Sequence, residues 1–410
     1  MWLLGKMLGR IVRHGRLTIR DADGSVHEFG AAEPGRPDVV IRFADKGVAM
    51  AIMRDPKLGA AETFMDGRLI IEQGDIMDLL ILIRGNRPWE KGKSGLNSVS
   101  LSEIIGKVRR TYDHLNHERQ SKKNVAHHYD LDERLYSLFL DKDRQYSCAY
   151  FTSPDVTLDD AQEAKKAHIA AKLALRPGQR VLDIGCGWGG LALYLNRVAD
   201  VDVLGVTLSE EQLKVAQRRA EEAGVAHRVR FELRDYRALD GQFDRIVSVG
   251  MFEHVGPPQF RTFFNTCRRL LTEDGVMLLH TIGRYGKPGF TDAFTRKYIF
   301  PGGYIPALSE VVAASEKSRL MLTDVEILRV HYALTLEHWY QRTVAARAQI
   351  EALYDARFYR MWCFYLAGAA VTFRYGGMCN YQLQYSRSRH ALPLTRDYMA
   401  EAEAKLPGAG

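Results

Sequence analysis

Three glycines in "VLDIGCGWGG", Gly185, Gly187 and Gly190, keep a G-x-G-x-x-G spacing directly after an apolar run with the look of a strand. A turn without side chains lets a ligand approach the backbone closely, and it serves dinucleotides, S-adenosylmethionine and plain tight turns alike. The flanks discriminate. A dinucleotide site wants an acid about 20 residues past the loop, at the end of the second strand, to bond the ribose 2′-hydroxyl. Here that strand ends "GVTLSEEQ", and Thr207 and Ser209 occupy the place. Asp183, inside the strand before the glycines, would repel a pyrophosphate but suits the sulfonium and ammonium of S-adenosylmethionine. Asp235 closes the third strand, where its carboxylate can accept from an adenine amino group. Each acid has a plainer reading, a buried turn-former for Asp183 and a loop acid for Asp235. Together on one edge of one sheet they favour S-adenosylmethionine.

The elements that must hold these residues alternate along the central chain. "TLDDAQEAKKAHIAAKLAL" reads as an amphipathic helix capped by Thr157, and "RVLDIG" as a buried strand. Helix "LALYLNRVA", strand "VDVLGVTL", helix "SEEQLKVAQRRAEEAG", strands "VRFELRD" and "DRIVSVG", helix "PPQFRTFFNTCRRLL" and strand "VMLLHTIG" follow. That order predicts an α/β, doubly wound parallel sheet. Before it, short alternating runs such as "DVVIRFAD" and helical patterns around "AAETFMDGRL" and "DIMDLLILIRG" predict a small α+β domain over 1–90. "NRPWEKGKSGLNS" breaks every periodicity, so a linker and helix are expected over 91–120 and the main domain over 121–400.

The chain has 410 residues, 46% of them hydrophobic, enough for real cores, and its longest apolar runs are too short to span a bilayer. Five cysteines without a C-x-x-C pair fit reduced thiols in a cytoplasm and suggest neither a disulfide framework nor a metal site. A net charge of +7 implies an acidic partner, nucleic acid or an anionic lipid surface. The basic residues are scattered rather than interleaved with aromatics, which argues against nucleic acid. In "MWLLGKMLGRIVRHGRL", Leu4, Met7, Leu8 and Ile11 share one helical face, with Lys6, Arg10 and Arg13 roughly opposite. Three readings stand: an interfacial membrane helix, a frayed basic N-terminus, or a helix packed on its own domain.

The stretches "HYDLDERLYSLFLDKDRQYSCAYF", "VLDIGCGWGG", "VTLSEEQ", "FDRIVSVGMFEHVG", "LLHTIG" and "KYIFPGGYIP", in that order, resemble the cyclopropane-fatty-acyl-phospholipid synthase family from about His128 to Arg374. The resemblance implies a class I methyltransferase sheet with helical additions over a lipid tunnel. It implies that Tyr146, Ser147, Asp183, Gly185, Gly187, Thr207, Gln212, Asp235, Tyr236 and Val249 surround S-adenosyl-L-methionine. Ser209 and Gln212 also form an S-x-x-Q capping box, which accounts for the glutamine without any ligand. It implies further that a bicarbonate ion is held by Cys148 and Ile282, chiefly through backbone, and by the side chains of Glu253, His280 and Tyr332.

The reaction so implied adds a methylene across the double bond of unsaturated phospholipids at the inner membrane face, through a carbocation that loses a proton to bicarbonate. Where some relatives carry a cysteine in the late helix, "FYLAGAAVTFR" has Ala369, so a cysteine nucleophile is doubtful. Three alternatives remain open: a methyl-branching or methylene-forming lipid methyltransferase, a small-amine N-methyltransferase, and a catalytically dead binding protein. A homodimer is compatible with the sequence.

Overall fold

The protein is described from a computed structural model that covers residues 1–92 and 132–407. The expected linker and helix over 91–120, and the start of the family resemblance at His128, therefore fall almost wholly outside the described residues. The described chain forms two compact units.

The first unit comprises residues 1–92, 292–299 and 333–378. Its four-stranded sheet has the order β2-β1-β3-β4, with β1 (Gly15–Arg20), β2 (Val26–Ala31), β3 (Asp38–Phe43) and β4 (Leu69–Gln73). β1 pairs antiparallel with β2 and parallel with β3. Alternation along β1 and β3 buries Leu17, Ile19, Val39 and Ile41. The helix Trp2–Ile11 turns Leu4, Leu8 and Ile11 into this unit, so its apolar face packs on its own domain; Trp2 and Leu3 stay exposed. The helix Ile76–Gly85 is apolar nearly all round and needs cover on two sides. The sheet supplies one, and the long helix Ala356–Tyr375 the other. This is why residues 333–378 cluster with the N-terminal part, in contrast to the continuous domain expected over 121–400.

The second unit carries a seven-stranded sheet: β5 (Arg180–Ile184), β6 (Asp202–Thr207), β7 (Val229–Leu233), β8 (Phe243–Val249), β9 (Leu271–Arg284), β10 (Met321–Leu328) and β11 (Met378–Ser386). The order is β10-β11-β9-β8-β5-β6-β7. β7, β6, β5, β8 and β9 run parallel, as expected. β10 and β11 pair antiparallel, so the sheet is mixed rather than purely parallel. Alternate residues of β5 feed separate cores: Val181 joins Val203, Val247 and the helices Leu158–Lys172 and Gly190–Ala199, while Leu182 and Ile184 join Phe263, Phe264 and Leu279. Both faces are covered, as double winding requires. The chain runs outward from β5 through β6 and β7, then returns to β8 on the other side, and the carboxyl ends part between β5 and β8. Ligands bind in such a crevice.

Candidate active site

A cavity opens at those carboxyl ends. The structure brings all ten residues expected around S-adenosylmethionine to its wall: Tyr146 and Ser147 from the segment before the sheet, Asp183 from β5, Gly185 and Gly187 from the turn after it, Thr207 at the end of β6 and Gln212 beyond it, Asp235 and Tyr236 beyond β7, and Val249 at the end of β8. Gly187 has φ +54°, and a Cβ built there meets no atom within 4 Å, so a side chain would project into the open cradle. Gly185, at φ +82°, has no such room, because a Cβ would lie 2.8 Å from Met251.

Asp183 is 1% exposed, and its Oδ2 has no hydrogen-bond partner. Burial pushes its carboxyl up to about 7, with the nearby Lys165 ammonium opposing. An unpaired buried carboxylate on a cavity wall fits a cationic ligand, because such a ligand supplies the missing partner. Ser209 caps its helix by accepting from Gln212 N at 3.3 Å, but the Gln212 side chain does not complete a capping box. Gln212 Oε1 instead accepts from Thr207 Oγ1 at 3.1 Å, which holds both side chains at the wall. Asp235 is gripped by Arg237, whose Nε and Nη2 lie 2.9 and 2.7 Å away.

The residues expected around bicarbonate do not line this cavity. Glu253 and Ile282 are brought together: Ile282 N donates to Glu253 Oε1 at 2.6 Å. Glu253 Oε2 is buried without a partner, and burial pushes the carboxyl up to about 7. His280 lies two residues before Ile282 on β9, 1% exposed, and burial with the charges of Lys165 and Lys172 drives its pKa well down. Its ring nitrogens are already engaged by Asn380 at 2.7 Å and Gln382 at 3.1 Å. The direct side-chain grip expected of His280 is thus taken up by β11, an alternating stretch that the expected strands did not include. Cys148, whose Sγ donates to Ala149 O at 3.4 Å, and Tyr332, at the start of the helix His331–Ala345, are buried on separate segments. The late-helix thiol of Cys363 is pushed up to about 12 by burial, unfit for a nucleophile.

Sequence reasoning missed Lys165. It is buried, donates to Ser147 Oγ at 2.9 Å and Gln145 Oε1 at 2.6 Å, and its charge acts on both Asp183 and His280. The available signal was the spacing of Lys165, His168 and Lys172 in an alanine-rich helix, which puts all three near one face.

The family model for mycolic acid cyclopropane synthetase matches residues 116–383. The chain belongs to this family. Like the other members, it is an S-adenosylmethionine-dependent methyltransferase, and its central sheet is the class I methyltransferase fold. The cyclopropane-fatty-acyl-phospholipid synthase of Escherichia coli (strain K12) is 38% identical over 372 residues, 90% of this chain and 93% of that protein. The crystal structure of mycolic acid cyclopropane synthase CmaA1 complexed with SAH and CTAB is 38% identical, with a TM-score of 0.62, over 65% of this chain and 98% of that one. Coclaurine N-methyltransferase bound to N-methylheliamine and SAH, 18% identical with a TM-score of 0.65 over 80% of this chain and 99% of that one, shares the fold.

Proposed function

We propose that this enzyme converts the cis double bond of an unsaturated phospholipid acyl chain into a cyclopropane ring, using S-adenosylmethionine as donor and bicarbonate as base. One observation carries the choice of substrate. Similarity to the Escherichia coli phospholipid enzyme runs over 90% of the chain, N-terminal part included, whereas that to the mycolic acid enzyme covers 65%.

The residues fit both small molecules. S-adenosylmethionine supplies an electrophilic methyl when bound, and bicarbonate supplies a base that is not itself a protein carboxylate open to alkylation. Asp183 balances the positive donor, and the bare backbone at Gly187 lets it approach. Glu253, with one oxygen fixed by Ile282 N and the other unpartnered, presents a hydrogen-bonding group to an anion; with a pKa of about 7 it does so without full negative charge. Cys148 and Tyr332 complete that set by family resemblance. Burial of Glu253, His280, Cys148 and Tyr332 keeps water from these side chains, and water would otherwise trap a carbocation.

At the membrane, the helix Trp2–Ile11 acts through what it leaves outside its own unit. Trp2 and Leu3 are 73% and 55% exposed, Lys6 Nζ sits 3.9 Å over the Trp2 ring, and Arg10 and Arg13 are exposed nearby. Apolar tips ringed by cations suit an anionic phospholipid surface. No helix among the described residues is long and apolar enough to cross a membrane.

The test is proton NMR of lipid recovered from unsaturated phospholipid vesicles incubated with enzyme, S-adenosylmethionine and bicarbonate. Ring protons far upfield support the reading. Methyl-branched or methylene signals, or methylation of small amines alone, overturn it.

A further inference from the structure

His280 lies between two carboxamides of β11, with the amide of Asn380 2.7 Å from Nε2 and that of Gln382 3.1 Å from Nδ1. Both contacts are placed through amide nitrogens, yet a neutral imidazole has one N–H and one lone pair, so two NH2 groups cannot both donate to it. A carboxamide exchanges its oxygen and nitrogen by a half-turn, and its partners fix which way it stands.

For Gln382 the deciding partner is Lys172. Its ammonium can only donate, and it lies 2.7 Å from Gln382 Oε1. A turned Gln382 would set NH2 against ammonium. The Gln382 NH2 therefore faces Nδ1, Nδ1 accepts, and the imidazole proton stands on Nε2. The same contact excludes an imidazolium, whose Nδ1–H would point at that NH2. Nε2–H then needs an acceptor, so Asn380 presents its oxygen to the ring. Its NH2 then takes the buried position in which an amide oxygen has no partner.

Lys172 is itself held. It is 2% exposed and paired with Glu326, which also takes His168 Nε2 at 2.6 Å, while Glu403 takes His168 Nδ1 at 2.9 Å. Tyr150 stacks on the His168 ring at 4.1 Å. The buried lysine thus cannot swing away from Gln382 without giving up its ion pair with the half-buried Glu326.

We propose that Lys172, acting through Gln382, is a positioning residue that holds His280 as the Nε2–H tautomer, and that Asn380 in consequence offers its NH2 as a buried donor to the bicarbonate of the proposed reaction. Only the second half rests on the bicarbonate reading above. An equivalent loss, a histidine left in the wrong tautomer, can cost far more rate than its unchanged position suggests.

The experiment uses the full chain with 15N-labelled histidine and long-range proton–nitrogen correlation, His280 being assigned from the spectrum of His280→Gln. The wild type should show a pyrrole-type Nε2 and a pyridine-type Nδ1. Gln382→Glu keeps an acceptor for Lys172 and turns its second oxygen to Nδ1, so the tautomer should invert. Lys172→Met releases Gln382 to turn and should populate both forms. A wild-type Nδ1–H, or a Gln382→Glu protein that keeps Nε2–H, overturns the first half; the wild-type spectrum alone is decisive where a variant does not fold. Asn380→Asp keeps an acceptor for Nε2–H but loses the NH2. It should retain the tautomer and S-adenosylmethionine affinity while raising the bicarbonate concentration for half-maximal turnover by about tenfold or more, the scale of a lost hydrogen bond to a charged group. An unchanged bicarbonate requirement overturns the second half. The tautomer is read without lipid, so a different lipid product would refute the proposed reaction and leave this spectrum standing.

Discussion

Asp183→Asn should make the free protein more stable and its grip on S-adenosylmethionine weaker. The carboxyl is fully buried and raised from 3.8 to about 7, chiefly by desolvation, and 7 − 3.8 is about 3 pH units, or about 4 kcal/mol at about 1.4 kcal/mol per unit. Because the folded pKa is the higher one, the proton binds more tightly to the folded protein. This stabilisation is fully present below the unfolded value and is lost as pH rises through about 7. At about pH 8 the wild type therefore holds an unpaired buried charge that the asparagine removes, and the variant should gain up to about 4 kcal/mol in urea unfolding, a gain that fades in acid. The ligand reverses the comparison, since its cation needs the ionised acid. With a free pKa of about 7, only about one molecule in 30 is ionised at about pH 5.5, so wild-type affinity should fall by about 10-fold, and at most about 30-fold, between about pH 8 and about pH 5.5. The variant should bind about 10- to 100-fold more weakly at about pH 8, with little pH dependence, the scale of a lost hydrogen bond to a charged group. Isothermal titration calorimetry with S-adenosylmethionine at both pH values measures this. A wild-type affinity flat across that range, or an asparagine variant that binds as tightly, refutes the pairing.

Gly187→Val places a branched side chain in the open cradle at φ +54°, so S-adenosylmethionine binding should be abolished, as equilibrium dialysis would register. Glu253→Gln should bind S-adenosylmethionine normally, because Glu253 lies off the cavity wall, yet lose turnover on lipid vesicles by about 100-fold. His280→Ala should behave similarly, and the double variant should be far less than multiplicatively worse; independent losses would show that the two residues do not serve one bound anion. Removing residues 1–14 would strip Leu4, Leu8 and Ile11 from the core, at about 1.5–3 kcal/mol each, so the membrane reading is tested instead by Trp2→Ser with Leu3→Ser. That variant should unfold like the wild type but bind anionic vesicles less well, and the wild-type binding should weaken with salt; unchanged vesicle binding would refute it.

By itself the sequence determined whatever depends on near neighbours. β5, its glycine turn and the alternation of helix and strand through β9 follow from short-range pattern, and eight of the ten residues at the S-adenosylmethionine cavity converge because each sits at or near a strand end whose position that alternation sets, while Tyr146 and Ser147 reach it from the segment before the sheet. Periodicity also tells which residues share a face, but not what the face meets. Leu4, Leu8 and Ile11 form the apolar stripe expected of them, and only packing put it against the protein's own first unit rather than a membrane. Lys165, His168 and Lys172 read as the wet side of an amphipathic helix and are buried instead. "MCNYQLQYS" alternates like a strand with one side in water, yet Asn380, Gln382 and Gln384 are at most 1% exposed. These two polar faces tolerate burial because they satisfy one another across 210 residues of chain, Lys172 with Gln382 and Gln384 with the carbonyl of Lys172. A buried polar group is stable only when such a partner arrives, and a partner that distant leaves no trace in local spacing. Tertiary structure alone therefore decided that the strand beside β9 is β11, and so what surrounds His280.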